Sequence, residues 1–206
     1  MDIGMGAALG TAHRNHKMII LEYDNQGYMN TGSQLSYSTP FGHRTSTSEV
    51  GDSLSGKRFH HKDTAQIFAA CNLPYVFTAS EGYPEDFMRK ISKAQWYAQR
   101  EGMVYGKVLS FCPLNWRTPD DAAQDVLQTA IDSCFFPLYE VEKGHTSINY
   151  DPDAIGKRRP VGDWLGQMGK TKHILTPEHA DQLEATEMEV DKRWRRLKVK
   201  HEHPEL

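Results

Sequence analysis

The sequence predicts an α/β fold, a mostly parallel sheet with helices on both faces, followed by a C-terminal helical arm. Short apolar runs at residues 17–23, 75–80 and 103–111 alternate with stretches of helical periodicity, which is the pattern of βαβ units in a covered parallel sheet. The 206 residues are 25% charged and 38% AVILMFWYC, enough for a sizeable single core. From Asp153 onward the chain turns polar. The predicted division is therefore an α/β domain over 1–152 and a helical extension over 153–206. A helix-like segment, 2–15, opens the chain with no strand before it, so the domain is expected to lack its first strands.

Element by element, residues 17–23 (KMIILEY) read as a buried strand that stops at Asp24-Asn25-Gln26-Gly27. In 31–56, 15 of 26 residues are Ser, Thr or Gly. With Tyr37, Phe41 and Arg44 among them, this stretch reads as an ordered binding loop in preference to a flexible linker. Residues 63–72 form a helix stopped by Pro74, and 75–80 (YVFTAS) a strand. In 84–100, Phe87, Ile91, Ala94 and Ala98 recur at helical spacing behind a first-turn Pro84 and two acids. Thr118-Pro119-Asp120-Asp121 reads as a hydroxyl-capped helix start, with Ala123, Val126, Leu127, Ala130 and Ile131 on the buried face. Residues 138–143 and 146–151 flank Gly144-His145 as a hairpin at one sheet edge. Thr176-Pro177 caps a final helix carrying Leu183, Val190, Trp194 and Leu197, an arm that packs on a partner or back on the sheet.

The formal charge of −3, from 24 Lys and Arg against 27 Asp and Glu, argues against a general nucleic-acid binder. No apolar run reaches the roughly 18 residues of a membrane span. Three cysteines, Cys71, Cys112 and Cys134, do not make a disulfide framework, so a reducing cytoplasm is expected. Cys71 and Cys134 read as buried small hydrophobes. His60-His61 and His201-x-His203 lack partners at ligand spacing, and His13 and His16 read as structural or surface residues. The basic run 192–200 around Trp194 reads as a solvated helix face or a meeting point for an acidic surface.

In open α/β sheets ligands sit beyond the carboxyl ends of strands. The first such end runs Tyr23-Asp24-Asn25-Gln26-Gly27-Tyr28-Met29-Asn30-Thr31-Gly32-Ser33-Gln34. It offers oxygens from Asp24, Asn25 and Asn30 together with free carbonyls, the donors Mg²⁺ takes. Gly4, Gly6 and Gly10 upstream would let a helix approach a diphosphate. An ordinary Asn-Gly turn explains the same residues.

Asp2-Ile3-Gly4-x-Gly6, then Tyr23-Asp24-Asn25, then Tyr28-Met29-Asn30-Thr31-Gly32-x-Gln34 with Ser38-Thr39-Pro40 behind it, resembles the thiamine-diphosphate-binding β subunit of 2-oxoacid:ferredoxin oxidoreductases, most of all the pyruvate enzymes. The resemblance continues through Tyr83-Pro84-Glu85-Asp86-Phe87, Cys112-Pro113 with Trp116-Arg117, 137–141 and Val190-Asp191-x-Arg193-Trp194, and so covers nearly the whole chain. It implies that Asn25 supplies a side-chain Mg²⁺ ligand and Gly27 a carbonyl ligand. Gly4, Gln26, Tyr28 and Met29 would join them around the cofactor. Asn30 would lie beside the thiazolium and substrate, where its amide stabilises a developing oxyanion. Cys112 would be the last thiolate of a [4Fe–4S] cluster whose other ligands lie mostly outside this chain. The implied partners are the α subunit, with γ and δ subunits in some assemblies, together with ferredoxin, CoA and the 2-oxoacid substrate. The pyrimidine-side glutamate belongs to another domain or subunit, so no general base is assigned here.

The sequence departs from that family at its start. The family's Gly-Asp-Gly metal motif falls a few residues before the position of Met1, and its other cluster cysteines lie further upstream. The expectation is an N-terminally truncated chain, with a degenerate subunit that has lost metal and cluster as the alternative. Two further readings stay open: a non-redox thiamine enzyme of the decarboxylase or acetolactate synthase type, which has no use for Cys112, and a non-catalytic scaffolding subunit.

Overall fold

The computed structural model describes residues 1–203. Five strands form one sheet in the order β1-β5-β4-β6-β7. They are β1 (Ile19–Asp24), β4 (Tyr75–Ser80), β5 (Val104–Leu109), β6 (Tyr139–Glu142) and β7 (His145–Ile148). β5 pairs in parallel with β1 and with β4, whereas β6 and β7 add an antiparallel hairpin beside β4. The hairpin turns through Lys143 and Gly144, both at positive φ (51° and 87°), which suits the right-handed twist of the strands it joins. Two-residue strands β2 (Val50–Gly51) and β3 (Leu54–Ser55) form a separate small ribbon.

β4 and β5 are buried at every position, as central parallel strands must be when both faces are covered. One face packs Tyr75, Phe77, Val104 and Val108 under α3 (Pro84–Arg100), through Ala94, Tyr97 and Ala98. α3 runs as the periodicity predicts, with Pro84 in the first turn and Glu85 and Asp86 behind it. The other face carries Val76, Tyr105 and Leu109 into a larger cluster. That cluster is covered by α1 (Met5–Arg14), α2 (Thr64–Ala69), α5 (Ala123–Asp132), α6 (Val161–Gly166) and α7 (Ala180–Glu202). α7 therefore packs back on the body, with Val190, Trp194 and Leu197 buried and the Trp194 indole donating to Asp153 at 2.6 Å. The last three residues of the predicted extension, 204–206, lie outside the described residues.

Four local expectations are corrected. β1 is an edge strand among the described residues, and from Leu21 to Asp24 it alternates between exposed and buried positions, with Glu22 and Asp24 turned inward. Thr118 caps nothing; its hydroxyl is buried without a hydrogen-bond partner among the described residues, and a 3₁₀ turn at Asp120–Ala122 leads into α5. Thr176-Pro177 opens a separate 3₁₀ turn, and α7 begins three residues later with no side-chain cap. Cys71 is half-buried at the end of α2, while Cys134 is buried, its thiol pushed up to about 12 by burial.

Candidate active site

β1 ends at Asp24, and parallel pairing sets the end of β5 beside it, with Ser110 N–H donating to the Asp24 carbonyl at 3.1 Å. The loop from Asp24 to Gln34 and the segment after β5 are thus neighbours. α4 (Pro113–Trp116), a four-residue helix that no sequence pattern announced, starts at Cys112 and locks the two together. Asn115 Nδ2 and Trp116 Nε1 both donate to the Asn25 carbonyl, at 3.2 and 3.0 Å. Asn25 and Cys112, which the sequence analysis paired only by resemblance, are brought to one place by this helix.

Two buried lysines hold the loop from below. Lys107, on β5, forms an ion pair with Asp24 at 3.0 Å, and both side chains are only 5% exposed. Burial opposes ionisation of Asp24, but Lys107, Ser38 and the Gln26 N–H more than offset it and hold the carboxyl below its usual range. Burial likewise opposes charge on Lys107, and Asp24 and Glu22 outweigh it. Asp24 is therefore committed inward, and it does not join Asn25 and Asn30 as an oxygen open to a metal. Lys170, from the turn after α6, donates to Gln26 Oε1 at 2.8 Å and stands 5.1 Å above the Trp116 ring. No carboxylate among the described residues bonds it, and burial pushes it down to about 7, against the weaker pull of Asp24 and Cys112.

Gln26 is fully used by this support. It sits at φ +69°, its N–H on Asp24, its carbonyl accepting from Thr39 and its side chain on Lys170. Gly27 has a steric reason to be glycine, since a Cβ there would meet Met29 Cε at 2.4 Å and the Gln34 carbonyl at 3.0 Å. Tyr28 and Gln34 exchange backbone hydrogen bonds at 3.0 and 3.1 Å, closing the loop into a short ribbon that projects Asn30 into the open. The Tyr28 phenol points inward, and burial and Asp2 raise its pKa. Met29 is half-buried against Gly27.

Asp2, just before α1, accepts from Tyr37 N–H at 3.0 Å, so the start of α1 meets both the loop and the Ser-rich segment. That segment is ordered by internal bonds, as expected. Lys57 gathers the carbonyls of Ser36, Tyr37 and Thr39 around its ammonium, and burial lowers it to about 8. Gly4 is the N-cap of α1 and supplies no side-chain cap; Met5 N–H donates to the Asp2 carbonyl at 3.0 Å, and the first-turn N–H groups have no side-chain acceptor. Gly4 and Gly6 are exposed, and a Cβ at Gly6 would meet nothing within 4 Å.

These features suit a diphosphate–metal group. They comprise an uncapped helix start for the anion, the neutral oxygens of Asn25, Gly27 and Asn30, and a glycine where the chain folds tightly on itself. A [4Fe–4S] cluster is not matched by the chain's own residues. Cys112 is half-buried, and the described residues hold no group of three or more His, Cys, Asp or Glu able to bind a metal. Sequence reasoning gave no role to Lys107, Lys170, Asn115 or Trp116. Lys107 had a signal, a lone charge within an apolar strand, which requires a buried partner. Lys170 had none.

The family model described as "Thiamine pyrophosphate enzyme, C-terminal TPP binding domain" matches residues 1–105. Pyruvate synthase subunit PorB of Methanocaldococcus jannaschii is 40% identical over 183 residues, 89% of this chain and 59% of that protein. Ketoisovalerate oxidoreductase subunit VorB of Pyrococcus horikoshii is 36% identical over 197 residues, 96% of this chain and 61% of that protein. The chain thus spans about three fifths of these relatives. A 2-oxoglutarate:ferredoxin oxidoreductase from Magnetococcus marinus, solved with 2-oxoglutarate, coenzyme A and succinyl-CoA, aligns with a TM-score of 0.51 over 85% of this chain and 64% of its own, at 20% identity. That likeness is one of fold.

Proposed function

We infer, from the premise that this chain belongs to the thiamine pyrophosphate enzyme family through its C-terminal TPP-binding domain, that it serves as a β subunit of a 2-oxoacid:ferredoxin oxidoreductase. The proposed reaction is oxidative decarboxylation of pyruvate or a related 2-oxoacid to acyl-CoA and CO₂, with electrons passed to ferredoxin. The observation that carries this reading is the run of 36–40% identity to PorB and VorB over 89–96% of the chain, which includes the Asp24–Gln34 loop. The α subunit, other subunits of the assembly and ferredoxin are the proposed partners, and the cytoplasm the proposed location. No helix among the described residues is long and apolar enough to cross a membrane.

When bound, thiamine diphosphate supplies the carbon nucleophile that makes decarboxylation of a 2-oxoacid accessible. The residues of this chain bind and orient. The first turn of α1 after Gly4 would hold the diphosphate by the N–H groups that Asp2 leaves free and by the helix dipole. Asn25 and Gly27 offer oxygens to Mg²⁺, with Lys107, Lys170 and α4 fixing the backbone between them. Asn30, exposed on the ribbon, donates its amide N–H to substrate oxygen as negative charge develops there. Cys112 offers one thiolate; a [4Fe–4S] cluster at this place requires further thiolates from elsewhere in the assembly.

The test is ferredoxin reduction by this chain reconstituted with its partner subunits, with pyruvate, 2-oxoisovalerate and 2-oxoglutarate offered in turn. Reduction that requires CoA and thiamine diphosphate and stops on removal of Mg²⁺ is expected with at least one substrate. Thiamine-dependent CO₂ release without any ferredoxin reduction would favour the non-redox class. No thiamine diphosphate binding by the assembly would leave the scaffolding reading.

A further inference from the structure

Between α7 and the sheet lies a cavity of about 790 Å³ that the thiamine loop does not line. Its volume falls in the range of small-molecule sites. One wall is a cationic stripe of α7, with Lys192, Arg193, Arg196 and Lys200 at helical spacing. The facing wall is apolar, built from Phe135 to Pro137 and Tyr139, and Lys107 lies among the lining residues. Six cationic side chains surround this space against two carboxylates, in a chain whose formal charge is −3.

The local carboxylates are already bonded. Asp63 accepts from Gln66 N–H at the start of α2. Glu189 is shared by Lys192 and Arg193 at 3.1 and 2.7 Å. Lys107 is neutralised by Asp24. Among the described residues, Lys200 reaches only the neutral Gln66 Oε1, at 2.6 Å, and Arg196 makes no hydrogen bond or ion pair. The stripe therefore keeps surplus positive charge facing an aromatic wall. A face meant only for water mixes both signs and needs no aromatic surface opposite.

We propose that this cavity binds a small phosphorylated aromatic anion, of the nucleoside diphosphate kind, with its phosphates on Arg196 and Lys200 and its ring against the Phe136–Tyr139 wall. The ligand chemistry follows from the two walls. Guanidinium and ammonium groups take phosphate oxygens by charge-assisted hydrogen bonds, and a flat apolar wall takes a ring. The site does not depend on the thiamine reading, and an acidic segment of another protein is the competing occupant.

The experiment is calorimetric titration of the full chain with ADP, with inorganic pyrophosphate and with polyglutamate. EDTA is present throughout, so that no Mg²⁺-dependent diphosphate binding at the thiamine loop contributes. ADP is expected to bind more tightly than pyrophosphate and to weaken as salt rises. Arg196→Ala and Lys200→Ala, both at exposed positions, are each expected to lower ADP affinity about tenfold with an unchanged circular dichroism spectrum. Asn25→Ala is expected to leave ADP binding as it was. Absence of ADP binding overturns the proposal, as does binding indifferent to both α7 substitutions or lost in Asn25→Ala. Binding of polyglutamate without ADP overturns it in favour of a protein partner.

Discussion

Lys107 and Lys170 hold residues two apart in one loop, yet they do so under opposite electrostatics. Lys107 reaches Asp24 from β5, the strand paired beside β1, and is kept charged by that carboxylate, with Glu22 adding to it. Lys170 reaches Gln26 from the C-terminal extension, and its ammonium meets an amide and an indole face with no carboxylate bonded to it among the described residues, so burial prevails and its charge is weakly held near neutral pH. Equal depth does not give equal character to the same side chain. A carboxylate at 3.0 Å is the difference, and it makes the Asp24 end of the loop a rigid ionic anchor and the Gln26 end a softer one.

The largest effect is expected at the ionic end. Lys107→Met leaves the Asp24 carboxylate buried and unpaired, which costs about 3–5 kcal/mol, and urea unfolding monitored by circular dichroism should show most of the chain's stability gone. A loss below 1 kcal/mol would mean that water reaches Asp24 and that the contrast is false.

Lys170→Met should cost less, about 1–3 kcal/mol, the penalty for leaving the Gln26 amide oxygen without its donor. Its pH behaviour sharpens the comparison. The folded-state pKa of Lys170 is depressed, so between about 7 and the ordinary lysine value the unfolded chain binds the extra proton and stability rises with pH. Lys107 has a raised pKa, so its contribution is present below the ordinary lysine value and is lost at still higher pH. Denaturation midpoints from pH 7 to 10 should therefore climb in the parent chain and climb less steeply in Lys170→Met, where Lys57, also depressed by burial, remains. Equal slopes in the two proteins would remove the distinction.

On the acid side, burial lowers His43 and His61 well below their ordinary value. Both ring nitrogens of His43 lack a hydrogen-bond partner among the described residues. The unfolded state takes up protons on these rings first, so stability is expected to fall as pH drops through about 6.5. His43→Phe, measured in the same pH series, should reduce that fall.

Asn30 marks the small end of the stability scale. It is exposed, so Asn30→Ala should change the unfolding free energy by less than about 0.5 kcal/mol. In the reconstituted enzyme the same change is expected to lower turnover roughly 10²–10³-fold with little effect on thiamine diphosphate affinity. Equal losses in turnover and affinity would make it a loop-shaping residue.

What could be read from the sequence follows the same division between local and distant causes. β4 and α3 match their predicted bounds because apolar spacing, Pro84 and the two acids behind it act within a few residues. The Asp24–Gln34 loop was legible as a motif. Its support was not, because Lys170 lies 144 residues from Gln26, and no periodicity reports a contact of that span. That β1 is the strand at an open edge depends on strand order, which crossovers fix and composition does not. α4 is too short for any repeat to show, and Thr118 carried a cap signature in a place where the chain turns by 3₁₀ geometry instead.

That long span has a consequence for the order in which the molecule is made. At the roughly 5–20 residues per second of ribosomal synthesis, the stretch between Gln26 and Lys170 takes on the order of 7–30 s to emerge. During that interval the Gln26 amide and the Trp116 indole face have no amine between them. The Asp24–Gln34 loop is thus completed only after the chain has emerged through Lys170, and a nascent chain halted before that residue would carry the loop without the cation that seats it.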